Sequence, residues 1–183
     1  MHTGITAIGL ISGGLDSVVA VRAIQEQGIQ VIGVSCKHPF HSAAGGALSE
    51  SARKVARQTG IELYEPDVSD RMIELVKNPP HGFGKHLNPC IDCRIMYLRE
   101  GARLMEELGA RFLITGEVLG QRPMSQRRDA LDIVDRDSGL RGLVLRPLCA
   151  RLLRPTIPEE KGWVDRERLF AISGRGRKEQ MAL

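Results

Sequence analysis

Ile5 to Ile11 is an apolar run rich in β-branched residues, and Ser12-Gly13-Gly14-Leu15-Asp16-Ser17 follows it directly. The run reads as a buried strand, and the residues from Ser17 to about Gln27 read as a helix stopped by Gly28. Between a buried strand and a helix start, free backbone N–H groups and the positive end of the helix dipole converge, which suits an anion. Gly13 and Gly14 let the backbone approach a phosphate with no Cβ in the way. Ser12 and Ser17 add hydroxyl donors, and Asp16 offers a carboxylate to hold Mg²⁺ against phosphates. No lysine follows the glycines, so this is not a Walker A loop, and the spacing is not that of a dinucleotide fingerprint. Two glycines alone would suit an ordinary capped turn; the whole string after a first buried strand points to nucleotide binding.

Further along, β-branched runs alternate with helical patterns. Gln30–Ser35, Ile61–Tyr64, Phe112–Thr115 and Leu143–Leu145 read as strands. Leu48, Ala52, Val55 and Thr59 share one helical face, Arg71–Lys77 reads as helical, and Ile95, Leu98, Ala102 and Met105 mark a long helix closed by Gly109. Residues 121–137 are polar and partly helical. Alternation of this kind predicts an α/β fold, a Rossmann-like parallel five-stranded sheet with helices on both faces. Residues 1–150 read as the nucleotide-binding domain. Residues 151–183 read as a basic extension whose end, from Ser173, looks like a linker or exposed tail.

With 183 residues, 42% hydrophobic and 26% charged, the chain is expected to be one soluble domain. The first apolar run is far short of the roughly 20 residues a membrane span needs. No secretory signal pattern opens the chain, which predicts a cytoplasmic protein without membrane contact. Its net charge of +4 is uneven: residues 1–120 hold 12 Lys/Arg against 13 Asp/Glu, and residues 121–183 hold 14 against 9. A basic final third suits a polyanion such as RNA, or simply a solvated surface.

In the cytoplasm the four cysteines Cys36, Cys90, Cys93 and Cys149 stay reduced, which favours chemistry or metal over disulfides. Asn88-Pro89-Cys90-Ile91-Asp92-Cys93-Arg94 stands where a loop enters a helix, so both sulfurs fall in one small region. A helix N-terminus lowers a thiol pKa, and that expectation applies to this pair. One Cys-x-x-Cys supplies only two metal ligands. His38, His41, His81 and His86 lie in loops on the same expected rim and offer zinc ligands, or ordinary surface residues.

The six-residue string resembles the pyrophosphate loop of the PP-loop ATP pyrophosphatases, within the adenine nucleotide alpha hydrolase superfamily. Asn-Pro-Cys-x-x-Cys, followed by a helix and then Ile114-Thr115-Gly116-Glu117, is similar to the tRNA thiolation branch, the 2-thiouridylases and 4-thiouridine synthases. The likeness runs from about Ile5 to Thr115 and more loosely to Pro147. It implies an enzyme that splits ATP between the α and β phosphates with Mg²⁺. The uridine carbonyl oxygen of a tRNA is adenylated, and sulfur then displaces AMP. By the same likeness Ser12 to Ser17 hold the nucleotide, Cys36 lines the adenine pocket, and Thr115-Gly116 contact the nucleotide. Cys93 matches the sulfur-handling position, with Cys90 and Asp16 beside it in catalysis. Cysteine at both positions also looks like members that hold an iron–sulfur cluster, for which Cys149 is the available third ligand. The sulfur donor would be a persulfide carrier or sulfide.

Arg122, Arg127 and Arg128 offer contacts to RNA phosphates, or pair with Asp129, Asp132 and Asp135 along a helix. Full-length thiolases of this branch carry further RNA-binding domains, so a chain of this size is expected to be a short form or to rely on a separate RNA-binding subunit. Two other readings remain at this stage: a PP-loop enzyme using a nitrogen nucleophile, and a nucleotide-binding module without turnover.

Overall fold

The architecture, taken from a computed structural model describing residues 4–42, 47–84 and 88–183, is a five-stranded sheet in which every strand pairs parallel to its neighbour. The strands are β1 (Thr6–Leu10), β2 (Gln30–Val34), β3 (Leu63–Tyr64), β4 (Phe112–Thr115) and β5 (Val144–Leu145), in the order β3-β2-β1-β4-β5. Around them lie α1 (Leu15–Gln25), α2 (Pro39–Ser42), α3 (Ala47–Thr59), α4 (Ser69–Lys77), α5 (Cys90–Glu107), α6 (Arg128–Asp137), α7 (Ile157–Glu160) and α8 (Lys178–Ala182). The Rossmann-like α/β expectation holds.

Successive strand side chains point to opposite faces, and each face has its own core. Ala7, Val31, Phe112 and Ile114 meet Val21 and Ile24 of α1 and Val55 of α3. Ile8, Ile32, Leu113 and Val144 meet Met72 of α4, Leu98 of α5 and Val134 of α6. Each such fully buried aliphatic or aromatic side chain contributes about 1.5–3 kcal/mol by leaving water. After β3 the chain crosses to the far side of β1 to make β4. Leu10 pairs with Val34 on one side and with Thr115 on the other, so the three strand ends are level. Ligands of open α/β sheets bind beyond the strand C-termini at such a reversal.

The differences from the sequence expectation are local. Helix α4 starts at Ser69 rather than Arg71 because the Asp67 carboxylate accepts the Ser69 N–H at 2.9 Å. The larger difference is beyond residue 150. Val164 and Leu169 are buried in the same core as Ile24 and Phe112, and the Trp163 ring stacks on Phe112 with centroids 6.4 Å apart. Ser173 bridges to Leu119, and Gln180 is 1% exposed. Residues 163–172 are therefore packed against the sheet and its helices, whereas from Ser173 onward only Gln180 is buried. The core residues of this stretch come singly, between charges and in short turns, so no period marks them. Among the described residues no helix is long and apolar enough to cross a membrane.

Candidate active site

A cavity of about 550 Å³ opens beyond the C-terminal ends of β1, β2 and β4, lined by residues from all three strand ends and from the start of α5. Its floor is the turn after β1. Gly14 is extended, its carbonyl already accepts the Ser17 N–H at 3.0 Å, and the N–H groups that open α1 have no carbonyl a turn behind them. The Ser17 hydroxyl is buried and accepts the Ser12 N–H at 3.2 Å, which folds the turn back on itself. Gly13 has φ +83°, and a Cβ there would lie 2.4 Å from Ser51 Cβ in α3. Across the floor, a Cβ on Gly116 would lie 2.7 Å from the Asp16 carbonyl carbon. Both glycines are needed because two backbones close on the turn. Ser12, Gly13, Gly14 and Asp16 line the cavity, whereas Ser17 braces the turn from beneath and Leu15 is exposed and does not line it.

Asp16 Oδ2 accepts from Gln121 Nε2 at 3.1 Å, while its Oδ1 is buried without a hydrogen bond. A hard, unmet carboxylate oxygen beside a helix N-terminus fits a divalent cation shared with phosphate oxygens. The β2 side of the cavity is Val34, Ser35 and Cys36. Burial, aided by the Glu100 charge, pushes the Cys36 thiol up to about 12, so this cysteine is a neutral wall residue.

Cys90 and Cys93 both face the cavity from the first turn of α5. The expected lowering of thiol pKa fails at Cys93. Burial, then the charges of Cys90 and Asp92, push it up to about 11, and its Sγ lies 3.8 Å from Met72 Sδ. Desolvation thus outweighs the helix dipole. Cys149 is not brought to the pair: it is fully buried, its thiol donates to the Glu117 carbonyl at 3.4 Å, and it does not line the cavity. Among the described residues no group of three or more His, Cys, Asp and Glu is placed to hold a metal ion. The three-cysteine cluster site therefore does not fit this donor set.

His38 and His81 are also committed elsewhere. His38 Nε2 is 2.8 Å from the Tyr97 hydroxyl. His81 sits between two carboxylates, with Nδ1 2.6 Å from Asp92 Oδ1 and Nε2 2.8 Å from Asp137 Oδ2. His86 and the side chain of His41 lie outside the described residues. Of the three arginines that the sequence offers to RNA phosphates or to nearby aspartates, Arg122 lines the cavity. Arg127 pairs with Asp129 at 3.0 Å, and Arg128 donates to the Leu152 carbonyl at 2.8 Å.

Thr115 and Gly116, expected from the sequence, line the cavity on the β4 side; what sequence reasoning missed there is the buried charge behind them. Arg146 and Glu117 are each 3% exposed and joined at 2.9 Å, and Arg146 also holds Asp135 at 2.7 Å. Arg94, next to Cys93, reaches Glu117 Oε1 at 3.3 Å. Burial works to raise the Glu117 pKa, but the charges of Arg94 and Arg146 overcome it and leave the group lowered and ionised. Glu117, Arg94, Gln121, Gln126 and Arg177 all line the cavity. The Thr-Gly-Glu string was visible, but the ion pair that fixes Glu117 comes from 29 residues away and leaves no local signal.

Comparison with known proteins agrees with this geometry. A family described as "Thiamine biosynthesis protein (ThiI)" matches residues 3–151. A probable tRNA sulfurtransferase of Thermococcus kodakarensis is 29% identical over 150 residues, covering 77% of this chain and 36% of the relative. A tRNA-specific 2-thiouridylase MnmA of Clostridium acetobutylicum is 38% identical over 120 residues, covering 58% of this chain and 34% of the relative. The chain thus spans about a third of the length of these relatives. Among solved structures, a 4-thiouridine synthetase–RNA complex with bound ATP shares the fold at a TM-score of 0.54 and 24% identity, covering 79% of this chain and 37% of that one. With 149 consecutive positions matched, the turn after β1 and the cysteine pair among them, this chain belongs to the ThiI family.

Proposed function

We propose that the chain is the ATP-using unit of a tRNA thiolation reaction in which a uridine carbonyl oxygen is adenylated and then exchanged for sulfur. The observation that carries this reading is that the anion-binding turn and the Cys90–Cys93 pair open onto one cavity. The backbone of residues 12–16 and the helix start receive the phosphates, and Asp16 Oδ1 is the group to hold Mg²⁺ there. Mg²⁺ held there would screen phosphate charge; the carbonyl oxygen bonds to the α phosphorus, and pyrophosphate leaves with the electrons of the broken P–O bond.

A carbonyl oxygen is a poor leaving group, and AMP is a good one. Cys93, loaded by a persulfide carrier, presents a terminal sulfur that attacks the activated carbon, and AMP departs with its bonding electrons. The base is then held through a sulfur–sulfur bond to Cys93. Cys90, one helical turn away, attacks Cys93 and releases the thiolated base. The resulting Cys90–Cys93 disulfide is reduced by an external dithiol. Arg122 and Arg177 at the cavity supply cations for RNA phosphates.

The test is nucleotide chromatography after anaerobic incubation with ATP, Mg²⁺, a persulfide donor and unmodified tRNA. AMP and pyrophosphate are expected only when tRNA is present, and Asp16→Ala is expected to abolish both. Cys93→Ser is expected to bind ATP normally and insert no sulfur. ATP surviving intact, or AMP forming equally without tRNA, would overturn the reading.

A further inference from the structure

Gln126 has no part in the steps above, yet it is 2% exposed, lines the cavity, and carries a buried Oε1 with no hydrogen-bond partner among the described residues. An unmet buried amide oxygen costs about 1–3 kcal/mol, so its place in a cavity wall points to a ligand that meets it. The loop that carries it is closed by its own backbone. Gly120 N–H donates to the Gln126 carbonyl at 2.7 Å, and Gln126 N–H donates to the Arg122 carbonyl at 3.0 Å, which closes the loop 120–126. The same loop sends Gln121 to the Asp16 carboxylate. One closed loop therefore ties the metal- and phosphate-binding carboxylate at one end to an unmatched carboxamide at the other.

We infer that Gln126 is a specificity residue that reads the imide edge of the target pyrimidine. A carboxamide offers one acceptor beside donors. Uracil offers a ring N–H flanked by carbonyl oxygens, so the two match as a bidentate pair. The reacting carbonyl is the neighbour of that N–H, and a group that reads the N–H holds the oxygen at a fixed distance from the phosphate site. Glu117, a few residues earlier, is taken up by Arg94 and Arg146, so it leaves the Gln126 amide oxygen as the unmatched acceptor on this wall. The inference rests on the thiolation reading above.

The experiment uses the whole 183-residue chain and its Gln126→Leu variant. The substrate is a tRNA transcript thiolated by the wild type, and a second transcript carries 3-methyluridine at the position that mass spectrometry finds thiolated. The variant should keep its ATP affinity by calorimetry and its Tm, while kcat/KM for RNA-dependent AMP release falls on the order of 100-fold. Blocking the ring N–H should cost the wild type a comparable factor and the variant less than about threefold, because the contact is already gone. A merely structural role would leave the methyl penalty the same in both proteins. Wild-type kcat/KM in the variant, an equal methyl penalty in both, or a loss confined to ATP affinity would each overturn the inference while leaving the thiolation reading standing. AMP absent with every tRNA in the wild type would remove both.

Discussion

After β1 the cavity wall is backbone, whereas after β4 it is buried charge. The first wall is held by contacts such as Ser12 to Ser17, five residues apart, and by glycines that let Ser51 and Asp16 approach. The second is held by Asp135, Arg146, Glu117 and Arg94, drawn from α6, the turn after β5, the end of β4 and α5. A backbone anion site is preorganised once strand and helix form. A charged wall stands only while every partner is present, since a buried charge that loses its counter-ion keeps the full cost of desolvation.

The sharpest way to break this comparison is Arg146→Met. It leaves Glu117 with Arg94 alone and strips Asp135 of its guanidinium, so unfolding free energy in urea should fall by about 3–5 kcal/mol. A loss under about 1 kcal/mol would mean the charged wall is not what holds this side together. Gly13→Ala tests the other wall. It combines a left-handed φ with an overlap onto α3, at a cost of about 2–4 kcal/mol. ATP binding should fall with it, because the turn must open to relieve the clash. If Gly13→Ala binds ATP as tightly as wild type, the backbone wall is more forgiving than its packing implies.

The same contrast explains what could be read from the chain itself. The turn after β1, the individual strands and the cysteine pair at a helix start are local, and each follows from a few adjacent residues. The Arg127–Asp129 pair, two residues apart, is one of the two alternatives the sequence offers; the Leu152 carbonyl that Arg128 meets, 24 residues away, is not legible there. The Glu117–Arg146 pair and the Gln121–Asp16 contact join residues 29 and 105 positions apart, and no window of sequence contains both ends. Cys149 was chosen as a third ligand by counting cysteines. The fold instead buries it behind the Glu117 carbonyl. Cys93 shows a different limit, since the helix dipole is readable from position but the burial that overrides it is not.

Cys93 supplies a third test, at the meeting of the two walls. With its thiol at about 11, iodoacetamide labelling near neutral pH should run about 10- to 100-fold slower than for a free thiol, resolved from Cys90 by tandem mass spectrometry. The rate should keep climbing as pH approaches that value. A plateau below about pH 9 would show a thiolate already stabilised by the helix start, making the sulfur site part of the backbone wall.

The smallest effect belongs to His81, which ties Asp92 in the first turn of α5 to Asp137 at the end of α6, where Arg136 also pairs with Asp137. Hydrogen bonds that its ring N–H groups donate to Asp92 and then Asp137 raise its pKa above the usual 6.5. A group raised on folding contributes its full stabilisation below the unfolded value and loses it as pH climbs through the folded one. The tie is partly solvent-exposed, so screening limits it to about 1 kcal/mol. Wild type should therefore exceed His81→Asn in Tm near pH 6, and the gap should shrink as pH rises above the folded value. A gap that stays constant across that range would mean neutral hydrogen bonds hold the loop before Cys90. A gap that closes would make even this outer tie part of the charge-built side, and would place the start of the cysteine helix under the same electrostatic control as Glu117.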